Sequence, residues 1–179
     1  VFLETNDGIY SSDGELVLNL KINSGFVYKN RYFVSTEKGV YGTDETGNLF
    51  VRILEDDPRA NESYYLPDYG MISVIHNEKT SSIYLDDSLL ENNSKFRSIK
   101  NIGDNVYLIF NDKISILKDG KILKLIEKDD LIKSNIENFQ EFVDFEVYNN
   151  LILILTEDYK LIMYDNEALK GQIIGNEDV

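Results

Sequence analysis

Short apolar runs separated by polar turns recur along the whole chain. VYLIF, residues 106–110, and LILIL, residues 151–155, contain no polar alternate position. Such a run is expected of a strand buried on both faces. The runs that follow alternate: in KISIL, Ile114 and Ile116 take one side and Ser115 the other. Between the runs stand Asp13-Gly14, Asn111-Asp112 and Asp119-Gly120, pairs that tolerate the backbone angles of tight hairpins. The pattern predicts an all-β chain of short antiparallel strands.

The runs also repeat as groups. Each of five segments reads as an apolar strand, a polar hairpin, a second apolar strand, a turn with Asp or Gly, and a third strand. They begin at residues 1, 32, 71, 106 and 151, at spacings of 31, 39, 35 and 45. The fourth, VYLIF-ND-KISIL-KDG-KILKLI, is the cleanest, and the third, MISVIHNEKTSSIYLDDSLL, is the most degraded. A further apolar stretch precedes the pattern at 25–28, 96–102 and 142–148, which gives four strands per repeat, as in a propeller blade. The resulting expectation is a β-propeller-like array of about five blades of three to four antiparallel strands. Its approximate repeats are 1–24, 25–60, 61–92, 93–130 and 131–175 of one domain spanning 1–179.

GIYSSDGELVLNL, GVYGTDETGNLFVRI and ISILKDGKILKLI resemble blades of the quinoprotein-like and two-component-regulator-like propeller repeats. Those repeats run apolar strand, Asp, turn, Gly, apolar strand. The resemblance covers nearly the whole chain. The Trp that closes the quinoprotein-type repeat is missing, since the chain has no Trp, so the resemblance implies no cofactor. SSDGE is similar to the Asp-box of sialidase-type propellers but lacks its later Thr-Trp pair.

Two stretches break the rhythm. EDDPRANESYYLPDYG, residues 55–70, holds both prolines and reads as a long loop between the second and third repeats. Residues 127–142 place Ile132, Ile136 and Phe139, with Val143 beyond, at roughly helical spacing after aspartates suited to capping. This predicts a short helix or loop bridging the fourth and fifth repeats. The first repeat lacks an opening strand, and the tail GNEDV cannot supply one. Either the first blade has three strands, or the array is an incomplete part of a larger propeller. The start at Val1 rather than Met reads as a processed product or a piece of a longer protein.

Composition narrows the chemistry. There is no Cys, which removes thiolate metal sites, disulfides and cysteine nucleophiles. A net charge of −14 repels phosphate backbones and anionic headgroups, which argues against nucleic-acid and membrane partners. No apolar run approaches the ~18 residues that cross a bilayer. The composition fits a virion, a cell surface or the cytoplasm equally.

His76 is the lone histidine, and a triad would need an acid and a nucleophile to converge on it. Asp56-Asp57, Asp86-Asp87 and Asp129-Asp130 lack the alternating spacing of a calcium loop. No catalytic residue, cofactor or metal is assigned. The one segment with a binding composition is 55–70, where Tyr64, Tyr65 and Tyr69 accompany Arg59.

The leading expectation is a non-enzymatic protein-interaction or structural module within a larger assembly, such as a phage virion or cell-surface complex. Its partners would be other proteins or neighbouring subunits. The alternatives are a glycan- or small-ligand-binding propeller and the propeller part of a hydrolase.

Overall fold

The computed structural model describes residues 2–5, 8–44, 50–54 and 59–176. Asp56, Asp57 and Pro58 lie outside them. The chain is all-β and propeller-like: among the described residues, nineteen strands form five antiparallel sheets and one short helix is present. The first sheet has three strands, β1 (Phe2–Thr5), β2 (Gly8–Ser11) and β3 (Leu16–Leu18). The second holds β4 (Ile22–Tyr28), β5 (Arg31–Thr36), β6 (Gly39–Thr43) and β7 (Phe50–Leu54). The third holds β8 (Glu62–Leu66), β9 (Gly70–His76), β10 (Ser81–Leu85) and β11 (Ser88–Glu91). The fourth holds β12 (Phe96–Ile102), β13 (Asn105–Phe110), β14 (Lys113–Lys118) and β15 (Lys121–Glu127). After α1 (Lys128–Lys133), the fifth holds β16 (Phe142–Tyr148), β17 (Leu151–Thr156), β18 (Lys160–Asp165) and β19 (Lys170–Asn176).

Strands neighbour one another in chain order within each sheet, so each sheet is an antiparallel meander. The chain divides into two compact units, Val1–Asn92 with three sheets and Asn93–Val179 with two.

Turn chemistry explains the hairpins. Asp119 and Gly120 both have positive φ, 51° and 70°, which suits the mirror-image turn that matches strand twist. Lys29 and Asn30 make the same two-residue turn at 47° and 62°, without a glycine to announce it. Thr5 and Thr36 each close the next hairpin by donating Oγ1 to the carbonyl of Gly8 or Gly39, at 3.0 and 2.8 Å. Gly8 is required there: at φ 149° a Cβ would lie 2.1 Å from the Leu18 carbonyl oxygen.

A second device recurs in every sheet. The outermost strand carries a one-residue bulge, and the extra residues are Val17, Ile53, Leu90, Leu125 and Ile174. All five are aliphatic. A bulge bends its strand and raises the local twist. The opening strand is bulged in the second, fourth and fifth sheets, at Asn23, Arg97 and Val143.

Two expectations need correction. The 55–70 segment is not one long loop, because Glu62–Leu66 is β8, the opening strand of the third sheet. The short helix expected within 127–142, between the fourth and fifth repeats, forms as α1. α1 ends at Lys133, where Ser134 caps it and Asn135 turns left-handed at φ 60°. Leu131 is its buried residue, while Ile132 is 49% exposed. The second correction is that LILIL is not buried on both faces. Ile152 and Ile154 are buried, but Leu151 and Leu153 are half-buried and Leu155 is exposed. VYLIF meets its expectation throughout, since Val106 to Phe110 are all buried.

Sheets join face to face. In the first unit, Ile9 and Leu18 of the first sheet pack with Val34 of the second. Phe26 and Phe33 of the second meet Tyr64 and Tyr65 of the third edge-on, with ring centroids 6.0 and 5.5 Å apart. In the second unit, Tyr107, Ile109 and Ile114 of the fourth sheet pack with Phe145, Ile154 and Ile162 of the fifth.

Candidate functional site

The four residues singled out in the sequence separate in the structure. Tyr64 is buried, packs on Phe26, and donates its Oη to Glu62. Burial first, then the Glu62 hydrogen bond and charge, drives its pKa far above the usual phenol value. Tyr65 is half-buried against Phe33, and Tyr69 is half-buried in the turn after β8, its N–H on the Leu66 carbonyl at 2.9 Å. Arg59 lies over the Tyr84 ring at 5.9 Å, with Asp87 Oδ1 3.9 Å from its guanidinium. Tyr64 and Tyr65 thus serve the joint between the second and third sheets.

His76 does gather an acid and a hydroxyl. Its Nδ1 lies 2.9 Å from Ser81 Oγ and its Nε2 2.8 Å from Glu62 Oε1. Ser81 faces His76 across the β9–β10 hairpin. The composition is that of a hydrolytic triad, but Ser81 has no exposed surface. A nucleophile must reach a substrate carbonyl, and this hydroxyl cannot. The trio instead ties three strands of the third sheet together at one end.

In each of the two described acidic pairs one carboxylate is engaged locally. Asp86 Oδ1 accepts the Met71 N–H at 3.0 Å. Asp130 Oδ2 accepts the Glu127 N–H at 3.0 Å and meets Lys124 Nζ at 3.3 Å.

The second unit has a polar cleft of about 410 Å³ at one end of the fourth sheet, lined by Asn93, Ser94, Asp112, Lys113, Glu127, Lys128 and Asp129. Ser94 Oγ donates to Asp112 Oδ2 at 3.2 Å, while Asp112 Oδ1 is enclosed with no hydrogen-bond partner among the described residues. Nearby, the bulge residue Arg97 donates to Glu141, whose other oxygen accepts from Asn111 Nδ2 at 3.3 Å. Burial alone would raise the Glu141 pKa. The bonds from Asn111 and Arg97, with the Arg97 and Lys128 charges, outweigh it and hold the carboxyl below its usual range.

The fifth sheet carries an apolar surface that is open among the described residues. Leu153, Leu155 and Leu161 floor a shallow depression of about 160 Å³, with Asp144, Glu146 and Lys100 at its rim. Cross-strand pairing sets Leu155 opposite both Asp144 and Leu161, and Leu153 opposite Glu146 and Met163. The Lys100 ammonium reaches across to the Phe145 carbonyl at 2.6 Å, Asp144 at 2.9 Å and Glu146 at 3.5 Å. The first sheet is open in a similar way, with Leu3 65% and Leu16 46% exposed and each paired with Tyr10.

No protein-family model matches this sequence, and no curated protein matches it. Solved structures resemble its fold. The computationally designed Ika8 protein is 13% identical over 97% of this chain and 57% of its own, with a TM-score of 0.54. The extracellular domain of BT4673, described as a one component system of B. thetaiotaomicron, is 15% identical over 98% of this chain and 26% of its own, with a TM-score of 0.56. That of BT3049, described as a hybrid two component system of the same organism, is 11% identical over 96% and 27%, again at 0.56. Identities this low carry the propeller-like fold alone. The chain spans little more than half of the first of these structures and about a quarter of the other two.

Proposed function

We propose that this chain is a non-enzymatic interaction module that works within a larger protein assembly. The observation that carries the reading is the uncovered apolar surface on the fifth sheet, beside a fourth sheet whose corresponding surface is packed. Exposed apolar patches rimmed by polar groups mark interaction sites on soluble domains. The two similar structures are extracellular domains of a one component and a hybrid two component system, which suits a binding role at a cell surface; a virion is a second setting of the same kind. Burial of Ser81 weighs against hydrolysis.

The test is native co-purification from the producing cells, with cross-links mapped by mass spectrometry. The reading expects defined protein partners cross-linked near Lys100 or Lys160. It fails if the chain purifies alone and turns over a substrate.

A second reading is a small polar ligand held in the cleft beside Asp112. The enclosed, unpartnered Asp112 Oδ1 favours it, and the volume falls within the usual range of ligand pockets. A glycan array would register hits that Asp112→Ala abolishes; an array without hits removes this reading.

A further inference from the structure

The repeats assign a role to each face of a sheet. Aligned by register, Tyr107, Ile109, Ile114 and Ile116 of the fourth sheet correspond to Leu153, Leu155, Leu161 and Met163 of the fifth. The first three of the fourth-sheet set are buried in the cluster shared with the fifth sheet, and Ile116 packs against it. The same positions act alike elsewhere. Phe33, equivalent to Tyr107, packs on Tyr65 of the following sheet. Ile9, equivalent to Ile114, packs with Val34 of the following sheet. Three joints therefore use these positions to hold the next sheet. On the fifth sheet they remain half-buried, and Leu155 is 36% exposed.

The rim has a polarity. Lys100 lies opposite Tyr107 in register and Glu146 lies opposite Leu153, so the two are equivalent. Across the joint of the fourth and fifth sheets, the Lys100 ammonium meets Asp144 and Glu146. The next joint would place Glu146 where Lys100 stands. A basic counterpart would complement it there, because two carboxylates already share one ammonium.

We propose that the open face of the fifth sheet docks one further blade-type β-sheet from a partner chain. This sheet is apolar at its centre and carries Lys or Arg where the fifth sheet carries Asp144 and Glu146. The proposal rests on the interaction reading above and gives it a surface and a partner chemistry. A second copy of this chain is the wrong occupant, because it brings the same net charge of −14 to an acidic rim.

The absence of cysteine makes Leu155→Cys a single-thiol reporter. The probe is a tethered extra blade: a copy of residues 134–176 appended to the full chain, with Asp144→Lys and Glu146→Lys in the appended copy only. Tethering supplies a high effective concentration, so seating of the probe should slow thiol labelling by at least about tenfold. The appended copy without the lysine changes should protect less.

Labelling as fast as in the untethered chain, with circular dichroism showing the appended copy folded, overturns the proposal. So does protection in the untethered chain that grows with its own concentration, since that assigns the face to a second copy. Should the appended blade not fold, Leu155→Lys and Ile109→Lys decide. The proposal expects the first to leave the melting temperature unchanged and the second to collapse it; equal losses overturn it. If the probe fails to seat while partners still co-purify, this face falls and the interaction reading stands. If it seats while the chain purifies alone, the face stands and the reading falls.

Discussion

The Ser24 hydroxyl donates to the Ser63 carbonyl at 2.6 Å and accepts from the Ser63 amide at 3.2 Å. One side chain thus serves both backbone groups of a buried residue in the neighbouring sheet. Ser24→Ala strands an acceptor and a donor together, and such groups are costly when enclosed. We expect a loss of about 1–3 kcal/mol in urea unfolding with an unchanged m-value. A loss no larger than that of an exposed Ser→Ala change would mean that water replaces the hydroxyl.

Tyr64 and Tyr69 should separate packing from binding. Tyr64→Ala removes a buried ring set against Phe26, a change that typically costs about 3–5 kcal/mol. Tyr69→Ser removes a half-buried ring in a turn and should cost much less. Partner binding that survives Tyr69→Ser, measured in a fold-intact protein, would remove the tyrosine segment from the interaction surface.

Asp158 predicts an acid limit. Burial would raise its pKa from the ordinary 3.8, but Lys160, the Thr156 hydroxyl and the Gln140 N–H outweigh burial and hold it well below that value. Their distances are 2.7, 2.6 and 3.0 Å. A depressed folded-state pKa stabilises the protein fully above the unfolded value, and this stability is lost as pH falls through the folded value. Stability should therefore hold from neutrality to about pH 5 and decline below about pH 4. Asp158→Asn should start lower and lose less over that acid range. Parallel curves for the two proteins would show that Asp158 is not the titrating group.

The His76 trio should prove structural. A fluorophosphonate that labels activated serines should leave Ser81 unmodified. Ser81→Ala and His76→Ala should each lower the melting temperature, and the double change should cost less than their sum because the groups share one network. Labelling at Ser81 would restore the hydrolase alternative.

Much of this architecture is legible in the sequence, because alternation and turn residues act locally. VYLIF and Asp119-Gly120 announce a buried strand and a tight hairpin, and both form. The opening strand of the third sheet is hidden for a physical reason. ESYYL has few aliphatic residues and sits near both prolines, although paired tyrosines are good strand formers. Helical spacing marks the short helix around Ile132, and two left-handed asparagines, Asn135 and Asn138, redirect the chain beyond it. LILIL and VYLIF look alike as strings; what separates them is that the fifth sheet packs over VYLIF, and such a long-range contact is encoded in no local pattern. The His76 trio joins residues from three strands, and only the Ser81 partner is readable, as a cross-strand pair over a short turn.

The five aliphatic bulges limit how the protein can be lengthened. Each lies on the last strand of its sheet, one of the two edges with which a strand from another molecule could pair. A one-residue slip reverses every side chain beyond it, so an incoming strand would match the edge on one side of the bulge and fail on the other. Addition strand by strand is thereby discouraged, and fibrillar pairing along these edges with it. Along these edges a single duplicated strand would find no continuous register.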